Sequence, residues 1–287
     1  MSEGNGFYTE EEIRKRLSVS TYLFWEYQPI GERSLTELAR HGITQIELLE
    51  SREQFDMANP RSMKNIADIC KSCGIQVVAY HAQSTDFKNV DTEQKRTVEV
   101  DRCRRQIDTM IELGATVWGS HARLMDAALQ KSYEDLARHI EGTEVVIAIE
   151  NFEQKDYWVE KRVTFLDRID HAQVGMILDI GHVRNENGIN PMTIPGGPTR
   201  VIDMCKKRLC WVHLHGFCNG EDHYPPLVEG DTIQWVEIFR KFREIGYTRN
   251  MNFEPRGEPL HSNAIAETAK APKRIVALEA SGKHSGF

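Results

Sequence analysis

The stretch Val174-Gly175-Met176-Ile177-Leu178-Asp179-Ile180-Gly181-His182 decides how the chain reads. A short apolar run ends in an acid, and an imidazole follows three residues later. The run has the length and composition of a strand buried on both faces. A carboxylate that ends such a strand in a dry core needs a counter-charge or a metal, because an isolated buried charge is costly. Asp179 is therefore expected at the strand's mouth. A plainer reading makes Asp179 the cap of the next helix and His182 a residue satisfied by backbone. What favours the first reading is that the same grammar recurs along the chain.

Working outward, apolar runs alternate with helical periodicity, and glycines close many of the helices. Strands are expected over Ser18–Phe24, Thr44–Leu49, Ile75–Tyr80, Ala115–Ser120, Glu144–Ile149, Val174–Leu178, Leu209–Leu214 and Asn250–Phe253. Helices are expected over Ser34–His41, Arg61–Cys73, Asp91–Leu113, Ser132–Glu141, Lys161–Ile169, Thr199–Lys207, Ile233–Ile245 and Asn263–Leu278. Residues 185–199 and 216–231 read as loops. Such alternation with short connections means a parallel sheet with crossover helices. Eight units in this length fit a closed (β/α)8 TIM barrel, an α/β fold in a single domain, better than an open doubly wound sheet. No glycine-rich GxGxxG turn follows the first strand, which removes the main reason to prefer a dinucleotide fold. Residues 1–17 form a lead-in, 18–280 the barrel, and 281–287 a tail.

The chain has 287 residues, 40% hydrophobic and 28% charged, with a net charge of −7. The acidic balance argues against a nucleic-acid or anionic-membrane partner. No run of 18 apolar residues exists, so no membrane span is expected. The first thirty residues lack the basic-then-apolar layout of a signal peptide, and a cytoplasmic protein is expected. Six cysteines are scattered. Cys70-Lys71-Ser72-Cys73 is a CxxC pair without a second pair at zinc-finger spacing, and reduced thiols are the plain reading.

In a barrel of this kind the C-terminal ends of all strands meet at one face, which carries the site. Standing there are His81, His121, Glu150, Asp179, His213 and Glu254, with His182 and His223 in loops on the same face. Six consecutive strand ends bearing Asp, Glu or His are hard to reconcile with chance, and a divalent cation supplies the positive charge they lack. Trp25, just past the first strand, is a candidate wall for a ligand's ring, with a core aromatic as the alternative. Arg256 is a candidate to hold a hydroxyl or phosphate, with a surface charge as the alternative.

Four pieces are specific: Ile147-Ala148-Ile149-Glu150-Asn151, Leu178-Asp179-Ile180-Gly181-His182, Val212-His213-Leu214-His215 and Asn252-Phe253-Glu254-Pro255. In this order they resemble the xylose isomerase-like TIM barrel superfamily, which includes sugar-phosphate isomerases, keto-sugar 3-epimerases, inositol-catabolism enzymes and endonuclease IV. The resemblance covers residues 18 to 260. It implies four metal ligands, Glu150, Asp179, His213 and Glu254, around one divalent ion. That mostly hard set suits Mn²⁺ first, then Mg²⁺, Co²⁺ or Zn²⁺. His213 and His215 point to the same side of their strand. His213 aligns with the family's His-Leu-x-Asp motif, but the motif's Asp is Gly216 here, so the choice between the two histidines stays open.

The resemblance further implies an isomerase or epimerase of a sugar, keto-sugar or polyol derivative. Glu150 and Glu254 would act as the two bases beside a carbonyl, through a metal-stabilised enediolate. His182, and with it His81, His121 and His223, would contact substrate, and a homo-oligomer is expected. A lyase or dehydratase would need the same parts. An endonuclease IV-like zinc phosphodiesterase acting on abasic DNA would use three ions, with His81, His121 and Glu221-x-His223 as extra ligands. The acidic charge and the absence of basic, aromatic-studded loops weigh against it. A non-catalytic barrel would predict a broken ligand set, whereas all four positions hold competent residues.

Overall fold

Eight parallel strands close on themselves in the order β1-β10-β7-β6-β5-β4-β3-β2, the (β/α)8 barrel the sequence pattern predicts. In this computed structural model the described residues are 6–25, 28–50, 55, 57, 59–82, 90–122, 125–152, 158–185, 187–258 and 260–283. The barrel strands are β1 (Leu17–Ser20), β2 (Gln45–Leu49), β3 (Gln76–Ala82), β4 (Val117–His121), β5 (Val146–Glu150), β6 (Val174–Asp179), β7 (Leu209–Leu214) and β10 (Met251–Phe253). Around them run α2 (Glu32–Arg40), α3 (Pro60–Cys73), α4 (Glu93–Glu112), α5 (Ala127–Ile140), α6 (Trp158–Ile169), α7 (Gly197–Cys205), α8 (Trp235–Glu244) and α9 (Ala264–Ala280). A short α1 (Glu10–Lys15) in the lead-in carries a Thr9/Glu12 capping box and is tied to α8 by an Arg243–Glu12 ion pair of 2.7 Å.

Two layers of apolar packing hold this arrangement. The larger lies between the strands and the helices. A smaller, separate cluster of Val78, Ala79, Val117, Val146, Ala148, Ile177 and Trp211 comes from β3 to β7. Such alternating small and branched residues fill a barrel's lumen rather than leave a pore. The lumen is tight: a Cβ on Gly119 would lie 2.9 Å from Ile177 Cδ1 and 3.4 Å from the His81 ring. Gly119 is thus what lets His81 turn its imidazole inward from the neighbouring strand.

The structure corrects three expectations. The first strand stops at Ser20 instead of Phe24. Thr21–Phe24 curl into a 3-10 turn, because Ser20 Oγ accepts from the Tyr22 N–H and Thr21 Oγ1 from the Leu49 N–H at 2.8 Å. The fifth helix starts at Ala127, five residues before the expected Ser132, since Asp126 caps it by accepting the Leu129 N–H at 2.8 Å. The segment 216–231, expected as a loop, contains an antiparallel hairpin of β8 (Gly216–Cys218) and β9 (Glu221–Tyr224). Its turn is Asn219-Gly220, with φ of 54° and 85°, the left-handed pair that a two-residue hairpin turn requires. No helix among the described residues is long and apolar enough to cross a membrane.

The hairpin and the chain that follows it are held by one buried acid. Asp231 accepts the N–H of Phe217 (3.0 Å), Leu227 (2.8 Å) and Ile233 (3.1 Å) and the indole N–H of Trp235 (2.7 Å). Removing the acceptor leaves these buried donors unmatched. Asp231→Ala should destabilise the protein by about 4 kcal/mol in denaturant unfolding, the cost of four orphaned donors at about 1 kcal/mol each. A loss under about 1 kcal/mol would mean that water replaces the carboxylate.

Candidate metal centre

Backbone pairing sets the level of the site. His121 pairs with Glu150, and Asp179 with His213, at the C-terminal ends of adjacent parallel strands. Asn151 then clamps the ends of β5 and β6. Its amide donates to the Asp179 carbonyl (2.9 Å) and accepts the Asp179 N–H (2.8 Å). This explains why Asn follows Glu150 in the sequence.

Asp179 stands at its strand's mouth as expected, and what it caps is a turn rather than the next helix. Oδ1 caps the turn, accepting the N–H of Gly181 (2.8 Å) and of His182 (2.9 Å). Oδ2 faces inward, 3.8 Å from His213 Nδ1. The same His213 nitrogen lies 3.1 Å from Glu254 Oε2 and 3.4 Å from Glu150 Oε2. Three carboxylates from β5, β6 and the end of β10 thus converge on one imidazole nitrogen that has no hydrogen bond of normal geometry. Neither ring nitrogen of His81 has one either, although Glu150 Oε2 is 3.3 Å away. Buried nitrogens that face acids without a normal hydrogen bond make this a set of groups that could hold a cation. Glu150, Asp179 and His213 place one donor atom each within 4.8 Å of one another. The chemistry of this set fits a hard divalent ion.

His215 stands elsewhere. Its Nδ1 accepts the His223 N–H (2.9 Å), so the proton sits on Nε2, which faces Asp179 Oδ1 at 3.1 Å. It supports Asp179 from behind. This contact needs Gly181, where a Cβ would come 2.1 Å from the His215 ring and 2.8 Å from Asp222 Cβ.

The remaining predicted residues surround a cavity of ≈ 210 Å³ lined by Tyr22, His81, His121, Glu150, Phe152, His182, Asp222, His223 and Glu254. His182 Nδ1 reaches Glu150 Oε1 at 2.9 Å, and His121 Nε2 reaches Glu150 Oε2 at 3.2 Å. His223 donates its Nδ1 proton to the Glu254 carbonyl (2.8 Å), which leaves Nε2 as its lone-pair nitrogen. Trp25 stands one ring further out, its centroid 5.9 Å from that of Tyr22, and the Arg256 guanidinium lies over the Tyr22 ring at 5.7 Å. Glu221 is exposed, whereas Asp222, next to it, turns into the cavity 3.7 Å from His182 Nε2. The hairpin therefore presents Asp222 and His223, where sequence spacing suggested Glu221 and His223.

Tyr22, Phe152 and Glu47 escaped the sequence reading. Tyr22 forms the cavity wall because of the unforeseen 3-10 turn. Glu47 lies mid-strand in β2, only 1% exposed, with His213 Nε2 3.2 Å away. A Glu inside the apolar run Ile46-Glu47-Leu48-Leu49 was the signal for it.

The charges respond to this crowding. Burial pushes the Glu150 carboxyl up, but His121, His182 and His213 outweigh it and hold it well below the usual range. Glu254 is lowered likewise, burial being overcome by His213 and His81. Burial opposes the His182 imidazolium, yet Asp179 and Glu150 raise its pKa to about 10. His213 is raised well above its ordinary value by Glu254 and Glu47 against the same burial. His223, where burial and the neighbouring His215 act together, falls to about 4.

Without a cation, imidazolium must balance the acids, and stability then depends on pH. Glu150 and Glu254 are lowered from 4.5, so their contribution is complete above pH 4.5 and is lost as pH falls. His182 is raised from 6.5 to about 10, so its contribution is complete below pH 6.5 and is lost as pH rises towards 10. The thermal midpoint of chelator-treated protein should therefore peak between pH 4.5 and 6.5 and fall from 6.5 to 10. A midpoint rising over that upper interval would contradict the charge assignment.

Comparison with known proteins agrees with the fold. Among solved structures, a D-psicose 3-epimerase from Clostridium cellulolyticum H10, crystallised with D-tagatose, superposes with a TM-score of 0.67 at 15% identity, covering 91% of this chain and 98% of the other. A 3-keto-D-glucoside 4-epimerase from E. coli gives 0.66 at 14% identity, with 90% and 98% covered. A xylose isomerase-like TIM barrel protein from Mycobacterium smegmatis in complex with magnesium gives 0.69 at 15%, with 96% and 99% covered. Curated proteins yield no match by sequence. A family model described as xylose isomerase-like TIM barrel matches residues 35–276, nearly the whole barrel, and the chain belongs to that family.

Proposed function

We propose that this chain is a divalent-metal-dependent isomerase or epimerase of a sugar, keto-sugar or polyol derivative, moving a proton at the carbon beside a carbonyl. The observation that carries the reading is the convergence of Glu150, Asp179 and Glu254 on His213 Nδ1 at the floor of a polar cavity. Glu150, Asp179, His213 and Glu254 would hold the ion, Mn²⁺ before Mg²⁺, Co²⁺ or Zn²⁺. A cation there supplies positive charge close to an oxygen on which negative charge develops as the proton leaves. The epimerase neighbours and the magnesium-bound neighbour support this reading.

The chain's own side chains divide the work. Glu150 and Glu254 stand on different strands and both line the cavity, as a pair of bases working on a bound substrate requires. His182 fixes Glu150 by its 2.9 Å contact, and its other nitrogen faces the cavity beside Asp222. It is placed to hydrogen-bond a substrate oxygen. His81 and His121 close the side next to Glu150, and Phe152, stacked on His121 at 3.9 Å, excludes water there.

One observation favours a second reading. The groups His81/His121/Glu150, Glu150/Asp179/His213 and Asp179/His182/His223 are each tight enough for an ion, and consecutive groups share Glu150 and then Asp179. Three ions bridged in this way would suit phosphodiester hydrolysis. Against it, no Lys or Arg is among the described residues that line the cavity.

Incubation of the Mn²⁺-loaded protein with ketohexoses in D₂O should yield an epimer carrying deuterium at the carbon beside the carbonyl. An ultraviolet-absorbing enone would indicate a lyase instead, and nicking of abasic duplex DNA a phosphodiesterase. Glu254→Gln should lower turnover by about 10²–10⁴-fold, the worth of a positioned base, while substrate still binds. Turnover within tenfold of the parent would rule out the two-base assignment.

A further inference from the structure

A buried acid outside the cavity faces the second ring nitrogen of His213. Glu47 receives three donors. Trp211 Nε1–H donates to Oε2 at 2.7 Å, Asn252 Nδ2–H donates to Oε1 at 3.1 Å, and His213 Nε2 lies 3.2 Å from both oxygens. The direction of this network is fixed from outside, because Ser18 Oγ–H donates to Asn252 Oδ1 at 2.9 Å and so turns the amide NH₂ towards Glu47. Ser18, Glu47, Trp211, His213 and Asn252 are all buried and come from β1, β2, β7 and β10, so the network ties four strands across the lumen.

We infer that Glu47 is a positioning residue: it fixes the His213 ring with the proton on Nε2 and the lone pair of Nδ1 towards Glu150, Asp179 and Glu254. A carboxylate is acceptor-only, so a ring nitrogen that faces one carries a proton; with a cation between Nδ1 and Glu150, Asp179 and Glu254, the proton left on the ring would be the one that Nε2 donates to Glu47. An imidazole held in this way has one tautomer, one orientation and a more basic free nitrogen. Glu47 is also close enough to His81, His213 and Glu254 to be read as a ligand itself. Its geometry speaks against that role. Both oxygens already accept N–H donors, from Trp211 and Asn252.

The inference rests on the metal reading above, and the test separates the two. Mn²⁺ binding is measured by calorimetry for the parent and for Glu47→Gln, which places an NH₂ where an acceptor is needed. The variant should bind the same number of ions about 10–100-fold more weakly, the usual effect of losing such a partner. In the Mg²⁺- or Zn²⁺-loaded parent, nitrogen-15 NMR should show His213 protonated at Nε2, with a downfield ring N–H that Glu47→Gln abolishes. Should Glu47→Gln fail to fold, Trp211→Phe removes one anchor of the carboxylate and should weaken Mn²⁺ binding by about 3–10-fold, below the effect of losing Glu47 outright. Unchanged affinity in a folded variant, or a proton on Nδ1, would overturn the positioning role while leaving the metal reading intact. Loss of a whole ion per chain would overturn it by making Glu47 a ligand. No uptake by the parent would overturn both.

Discussion

Glu47, Glu150, Asp179 and Glu254 are each no more than 4% exposed, and all four meet the single imidazole of His213. Two like charges 4 Å apart repel by about 4 kcal/mol even at an effective dielectric of about 20. No packing of apolar side chains offsets several such pairs. The barrel therefore has to bring positive charge to this point, and everything near it serves that end. Imidazoles ring the acids, backbone N–H groups take one oxygen of Asp179, and amide and indole donors take Glu47.

The fold's contribution is geometric. Parallel register sets Glu150 level with His121 and Asp179 level with His213, so that side chains distant in the sequence share one layer. Space for them comes from the absence of side chains at Gly119 and Gly181, where a Cβ would strike Ile177 or His215. The hairpin at 216–224 closes the layer from above. It carries Asp222 and His223 to the cavity and is held by Asp231 below. His223 accepts a left-handed backbone, φ 58°, and its N–H and C=O are fixed by His215 and Arg256. Strain of this kind at a cavity lining is typical where position matters more than local comfort.

Much of this was legible in the sequence because the signals were periodic or punctuating. Apolar runs ending in Asp, Glu or His marked the strand mouths, and Gly74, Gly114, Gly142 and Gly246 marked where helices stop, each with positive φ. What was less legible came from short-range polar chemistry competing with pattern. Ser20 and Thr21 side chains ended β1 early and so made Tyr22 a cavity residue. The Asn219-Gly220 turn, visible as a dipeptide, set a register that exchanged Glu221 for Asp222 at the site. Glu47 was hidden for a different reason: its partners Trp211, His213 and Asn252 lie more than 160 positions away, and only closure of the barrel brings them together.

The claim that this gathering of acids and imidazoles is a cation's binding site is tested most directly by anomalous X-ray scattering from crystals grown with Mn²⁺. The account predicts a difference peak bounded by Glu150, Asp179, His213 and Glu254. A fully ordered site without a peak, or a peak at the opposite end of the barrel only, would contradict it.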